Sequence, residues 1–298
     1  MQFFGARALL GLVALAVTIT SGCEKHAGPE TEGRMLVAAS IAPIYYFARQ
    51  VAGDQADVKL LVPTTVDAHT FQLGSAEMKT LARARVLVLN GINLEYWAEK
   101  AATASGNRNL LVVETGEGID HMDACDDHSH KGGNPHVWLN PRLAAKQVVA
   151  IRDAFIEADP SGKDIYTENA ARFVKELDSL DAYIHELMDG LKQRKFIAQH
   201  ASWVYFAQEY DLEEIGVLET TSSTEPSPRQ VAHMARLARE YGIRTVFAEP
   251  QISHKAAEAL AREIGGEVVL LDPFGTPPDY DYIATMRKNA ELIASGLK

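Results

Sequence analysis

Residues 161–191 read SGKDIYTENAARFVKELDSLDAYIHELMDGL, and this stretch decides the fold. Ile165, Phe173, Val174, Leu177, Leu180, Ile184, Leu187, Met188 and Leu191 recur at helical spacing. No breaker interrupts them before Gly190. Asp159-Pro160 ends whatever precedes, and Ser161 with Asp164 fits a capping box at the start. About thirty helical residues make a rod of about 45 Å, as long as a domain is wide. The meaning of such a rod depends on what lies at its two ends.

Both ends carry short apolar runs alternating with helical patterns. Before the rod, strands are predicted at Met35–Ser40, Val58–Val62, Val86–Leu89 and Leu110–Val113. Helices are predicted from Pro43 to Gly53, after a cap at Ser75, from Asn93 to Ser105, and from Pro141 to about Glu157. After it, strands are predicted at Phe196–Gln199, Ile215–Leu218, Thr245–Ala248 and Val268–Leu271. Their helices run from Ser202 to Tyr210, from a cap at Ser227 to Gly242, before Gly265-Gly266, and from Tyr282 to Leu297. This alternation implies parallel sheets covered by helices. The expected architecture is α/β: two parallel-sheet (β/α)4 lobes joined by one long rigid helix, with a site in the cleft between lobes. Tyr46-Phe47-Ala48 and Tyr205-Phe206-Ala207 follow the first strand of each half, a faint echo of duplication. The chain divides as a signal peptide at 1–22, a tether at 23–33, an N-terminal lobe at 34–158, the connector at 159–192 and a C-terminal lobe at 193–298.

Composition narrows the function. The chain has 298 residues and a formal net charge of −11, which disfavours nucleic acid and favours cations. Near the N-terminus Arg7 precedes an apolar run from Ala8 to Ile19, too short to span a bilayer and laid out as a secretory signal. Thr20-Ser21-Gly22-Cys23 resembles a bacterial lipobox, with Cys23 as the lipidated residue and Thr20 as a departure. The mature protein is therefore expected in the periplasm or another extracytoplasmic space, held to a membrane only through that lipid. Cys23 and Cys125 are the two cysteines, so a lipidated Cys23 leaves no internal disulfide.

Metal-binding side chains are concentrated in residues 120–141, DHMDACDDHSHKGGNPHVWLNP. Four of the ten histidines of the chain lie there, among carboxylates and Cys125, the side chains that bind borderline divalent metals. Residues 120–133 show no apolar periodicity and read as a solvated loop. From Asn134 the chain becomes stiff and partly apolar. Ligands of open parallel sheets bind beyond the carboxyl ends of the strands. His69 follows the second strand, His136 the fourth, and His200 the first strand of the second half, while Asp272 ends its fourth strand. Each alone reads as an ordinary strand-end residue. Together they make a three-imidazole, one-carboxylate set suited to tetrahedral zinc. His121, His128 and His130, with Asp126 and Asp127, share only composition and form an auxiliary, flexible metal-collecting group. Trp138 is expected to pack the cleft, and Glu249 to stand behind the ligands. His185 and His233 read as surface positions, His254 lies near a helix start, and His26 lies in the tether.

The chain resembles the zinc/manganese substrate-binding proteins of bacterial ABC metal importers from about Met35 to its C-terminus. Asp67-Ala68-His69-Thr70-Phe71 is similar to the family's D-P-H-x-Y motif, with Ala68 and Phe71 as departures. Asn90-Gly91-Ile92-Asn93-Leu94-Glu95 matches N-G-x-N-L-E. Asn134-Pro135-His136-Val137-Trp138-Leu139-Asn140-Pro141 matches D-P-H-x-W-L-D-P with Asn at both Asp positions. His200, Glu249-Pro250-Gln251 and Asp272-Pro273 fall on the later segments. The resemblance implies two α/β lobes on one long helix, the four ligands named above, an ABC permease with its ATPase as partners, a monomer, and capture rather than catalysis. Manganese-selective members carry a carboxylate where this chain has His200. Three neutral imidazoles favour Zn2+ over Mn2+ by softness and by the order of divalent affinities. A zinc hydrolase is the competing reading, but no H-E-x-x-H motif and no clear general base is present. A siderophore- or cobalamin-binding protein is another, and convergent histidines argue against it.

Overall fold

Short runs such as Val-Leu-Val-Leu at 86–89 are apolar on both faces, which only a sheet covered on both sides can bury. A computed structural model describes residues 34–122, 133–219 and 226–298 and sorts these runs into two sheets. In the first half come β1 (Met35–Ala39), α1 (Ala42–Ala52), β2 (Ala56–Leu60), α2 (Ser75–Leu81), β3 (Val86–Leu89), α3 (Ala98–Ala104) and β4 (Leu111–Glu114). Two helices follow, α4 (Pro141–Ala158) and the connector α5 (Lys163–Asp189). The second half holds β5 (Lys195–His200), α6 (Val204–Glu209), β6 (Glu213–Glu219), α7 (Pro228–Tyr241), β7 (Thr245–Ala248), α8 (Lys255–Ile264), β8 (Glu267–Leu270) and α9 (Tyr282–Gly296). The sheet orders are β2-β1-β3-β4 and β6-β5-β7-β8, every pairing parallel. The second is the first advanced by four strands, so the faint repeat in sequence is a full repeat in topology. The expected class, two parallel α/β lobes on one long helix, is what forms.

Local chemistry moved several boundaries. α3 starts at Ala98 rather than Asn93, because Ile92 and Asn93 adopt φ of 55° and 58°, in the left-handed region. Glu95 turns back, and its carboxylate accepts the N–H groups of Asn90 at 2.9 Å and Gly91 at 3.0 Å. α2 is capped at Gly74, whose N–H donates to Glu77 at 2.8 Å, so Ser75 is its first residue and not its cap. The capping box at Ser161 does not form, since Ser161 donates its N–H and its hydroxyl to Asp159. α5 therefore starts at Lys163 without a side-chain cap. The Ser227 cap of α7 forms as expected, with Gln230 completing the box.

The connector buries Tyr166, Phe173, Leu177, Leu180, Ile184 and Met188. Ile165, expected on that stripe, is 42% exposed, and Tyr166 takes the inward position. One apolar cluster runs from the first sheet through α4 and α5 into α9 and reaches Phe196, Phe206 and Phe247 of the second lobe. α9 closes against the first lobe: the Tyr282 ring meets Phe47 edge-on at 4.8 Å, and its hydroxyl donates to the Trp138 carbonyl at 2.6 Å. The Trp138 indole N–H donates to the Pro273 carbonyl at 2.8 Å. These contacts join the segment just after His136 to the turn after β8 and to the start of α9. Among the described residues no helix is long and apolar enough to cross a membrane. The signal and tether segments, Cys23, Asp126, Asp127, His128 and His130 lie outside the described residues.

Candidate metal centre

Two of the three expected histidines are set by the same local device. At Asp67-Ala68-His69, the Asp67 carboxylate accepts the His69 N–H at 2.9 Å, and its other oxygen accepts the Thr70 hydroxyl at 3.2 Å. At Asn134-Pro135-His136, the Asn134 side-chain oxygen Oδ1 accepts the His136 N–H at 3.0 Å. A short polar side chain binding the backbone two residues on fixes the turn, and the histidine is carried on it. Asn134 does more. The same oxygen accepts His136 Nδ1 at 2.8 Å, while its amide donates to the Ala201 carbonyl of the second lobe. That donation decides which end of the amide is oxygen. His136 Nδ1 therefore carries the hydrogen and Nε2 keeps its lone pair.

His200 ends β5 and is buried. Its Nδ1 faces Glu249 Oε1 at 3.2 Å, and the Ser202 hydroxyl donates to that same oxygen. A carboxylate accepts only, so again Nδ1 bears the hydrogen and Nε2 is presented. Metal-bound imidazoles are oriented in this way, by an outer carboxylate or carbonyl that fixes the tautomer. The three rings converge, with centroids 5.2 Å apart for His69 and His136, 5.3 Å for His69 and His200, and 4.9 Å for His136 and His200. One ligand atom from each lies within 4.8 Å of the others. His69 Nε2 and His136 Nε2 are 3.3 Å apart, the edge of a tetrahedron whose centre lies about 2.0–2.1 Å from each nitrogen. The cavity between them measures about 10 Å³, room for about one water-sized sphere, and is lined also by Asp67, Glu249, Gln251 and Phe274. An organic ligand has no space there.

The field at the site is negative. Burial pulls the His200 pKa down, but the charge and hydrogen bond of Glu249, with Glu214 and Asp67 farther off, outweigh it and leave it raised. The Glu214 carboxyl, on β6, is pushed up to about 8 by burial, an effect that His200 opposes and Glu249 reinforces. A cation among the three imidazoles meets favourable charge from both lobes.

The fourth expected ligand does not join this group. Asp272 Oδ1 accepts the N–H groups of Phe274 at 3.0 Å and Gly275 at 3.2 Å and the Gln251 amide at 3.1 Å. Its carboxylate closes the turn after β8, and Gln251 and Phe274 form that wall of the cavity instead. Trp138 is fully buried between His136, at 5.1 Å, and Phe274, at 5.8 Å, as packing rather than chemistry. His121 lines a separate polar groove with Asn93, Glu114 and Glu117, not the cavity of the three histidines. The base of its loop is fixed by the Asn134 N–H on the Met122 carbonyl at 2.8 Å and by Tyr205, whose hydroxyl donates to the Asn134 carbonyl at 2.7 Å. Sequence reading gave no role to Asp67, Asn134 or Ser202. The signal was present for the first two, since each stands two residues before a histidine.

Comparison with known proteins bears on this arrangement. The family profile described as "Zinc-uptake complex component A periplasmic" (ZnuA) matches residues 37–296. The chain is 30% identical over 287 residues to the zinc-binding protein AdcA of Streptococcus pyogenes serotype M6, which covers 88% of this chain and 56% of that one. It thus spans little more than half the length of that relative. It is 26% identical over 308 residues to the high-affinity zinc uptake system protein ZnuA of Bacillus subtilis, covering 97% of each. A crystal structure of ZnuA superposes with a TM-score of 0.82 at 33% identity, covering 89% of this chain and all of that one.

Proposed function

Because the chain belongs to the zinc-uptake complex component A family, we propose that it is an extracytoplasmic binding protein that captures Zn2+ and delivers it to an ABC-type importer. The observation that carries the reading is the convergence of three imidazoles on a cavity of single-ion size, with His136 and His200 turned by outer partners at Nδ1 and His69 carried on the turn that Asp67 closes. His69, His136 and His200 are the ligands, and Asp67 and Glu249 supply negative charge around them. The donor set is all imidazole, which favours Zn2+ over Mn2+. The role is binding rather than catalysis: the family description is one of uptake, and the Glu249 carboxylate, the acid nearest a general base, is engaged by His200 and Ser202. The partners are a membrane permease and its ATPase, the protein itself acts as a monomer, and Cys23 is the point of attachment to the membrane. The divisions at residues 33, 158 and 192 separate the tether, first lobe, connector and second lobe. His121, His128, His130, Asp126 and Asp127 form an auxiliary collecting loop.

Competitive titration of the mature chain with Zn2+ and Mn2+ against a chromophoric chelator tests this. Zinc is expected to outcompete manganese by orders of magnitude. Comparable affinities overturn the metal assignment.

A further inference from the structure

A second group of metal-ligating side chains lies where the connector, the second lobe and the first lobe meet. Asp181 and His185 are one turn apart on α5, and Glu209 is the last residue of α6. His185, which sequence reading set aside as a surface position, is only partly exposed, with its Nε2 3.8 Å from Asp181 Oδ1 and 3.7 Å from Glu209 Oε1. One ligand atom from each of the three lies within 4.8 Å of the others. Those separations are too long for hydrogen bonds. They exceed by less than about 1 Å the spacing of neighbouring ligands around a divalent cation with bonds of about 2.0–2.2 Å.

Each group is already oriented by something behind it. The Tyr210 hydroxyl donates to Asp181 Oδ1 at 3.0 Å, and the Tyr210 ring meets the His185 ring edge-on at 4.8 Å. Asn140 donates its amide to Glu209 Oε2 at 3.0 Å, which leaves Oε1 toward His185. Outer partners of this kind accompany metal ligands. An imidazole nitrogen between two carboxylate oxygens, none of the three hydrogen-bonded to another, is an arrangement that a cation completes. One side chain competes for the place: Arg142 Nη1 pairs with Glu209 Oε1 at 3.0 Å from the exposed start of α4.

We propose that Asp181, His185 and Glu209 form a second site for a divalent transition cation, weaker than the three-histidine centre. One nitrogen and two oxygens are a harder donor set, so this site discriminates less among Zn2+, Co2+ and Mn2+. A bound cation draws Glu209 from Arg142, on the first lobe, and ties α6 of the second lobe to the connector. Occupancy of the site and the polar link between the lobes are therefore coupled.

The test uses the full mature chain with Zn2+ as probe, after one equivalent has filled the tight centre. Equilibrium dialysis at pH 7.5 is expected to show one bound ion fewer for His185→Ala and for Asp181→Asn, with first-ion affinity within twofold of wild type. Ions held by residues 120–133 are common to all these chains and cancel. Arg142→Ala is expected to tighten the second site about two- to fivefold, the share of an exposed ion pair. In wild type, the His185 imidazole nitrogen resonance is expected to move only during this second phase, a readout that needs no variant to fold. Equal ion counts in wild type and His185→Ala at every free zinc concentration, or an unmoved His185 resonance, overturn the proposal.

Discussion

Glu249→Gln isolates what an outer partner contributes to the tight centre. The carboxylate is nearly fully buried and holds His200 Nδ1 at 3.2 Å and the Ser202 hydroxyl on one oxygen. Glutamine preserves shape and one acceptor but removes the charge. Loss of such a partner weakens metal affinity by about 10- to 100-fold, or about 1.4–2.7 kcal/mol. Since one acceptor survives, the lower end is expected at pH 7.5, a tenfold rise in the zinc dissociation constant. The pH dependence gives a second, independent check. Zinc and a proton compete for His200 Nε2, and Glu249 favours both. Burial alone lowers the His200 pKa, and Glu249 is what leaves it raised in the metal-free protein. As pH falls, wild type therefore meets proton competition first, and the variant, with its lower His200 pKa, meets it later. The affinity gap is expected to narrow between pH 7.5 and 5.5, measured by chelator competition at three pH values. A variant within twofold of wild type at pH 7.5, or a gap that widens on acidification, refutes the reasoning.

Three further outcomes follow from the same geometry. His69→Ala, His136→Ala and His200→Ala are each expected to lose far more zinc affinity than Asp272→Ala, whose loss should stay under about tenfold because its carboxylate closes a turn; chelator competition compares all four. Deleting residues 121–130 should leave first-ion affinity nearly intact and lower total stoichiometry or loading rate, read by calorimetry and stopped-flow; a large loss for the first ion shows that the loop supplies a ligand. Trp138→Ala removes a fully buried ring between His136 and Phe274 and is expected to destabilise the fold by about 3–5 kcal/mol, read by chemical denaturation.

The alternation of short apolar runs with helical patterns was enough to place all eight strands, Val86–Leu89 and Thr245–Ala248 at their observed limits. Strand-end reasoning also brought the three histidines together, because the topology of an open sheet fixes where such backbone positions lie. Asp272 is where expected in the chain but stands outside the three-histidine group, with its Oδ1 taken up by the turn after β8. A carboxylate takes whatever donors lie within reach, and the N–H groups of the next turn are nearer than the cleft. The helix starts expected at Ser161 and Asn93 moved for a similar reason. Asp159 and Glu95 made side-chain bonds to neighbouring backbone that outweighed helix propensity. The cluster at Asp181, His185 and Glu209 had no signal in sequence beyond a one-turn spacing on a helix, since Glu209 arrives from another element.

The shared apolar core bears on how the protein chooses its metal. One packed cluster passes from the first sheet through the connector into the second lobe, so the walls of the tight cavity cannot move apart without breaking close packing. A soft shell adapts to whichever ion enters, and discrimination then falls to donor chemistry alone. Here the shell is stiff and the space small, so an ion that requires six oxygen-rich neighbours has no means of recruiting them. On the proposed role, coordination number would be a second filter beside ligand type, set through packing side chains such as Phe47, Phe173 and Tyr282 that lie outside the cavity lining.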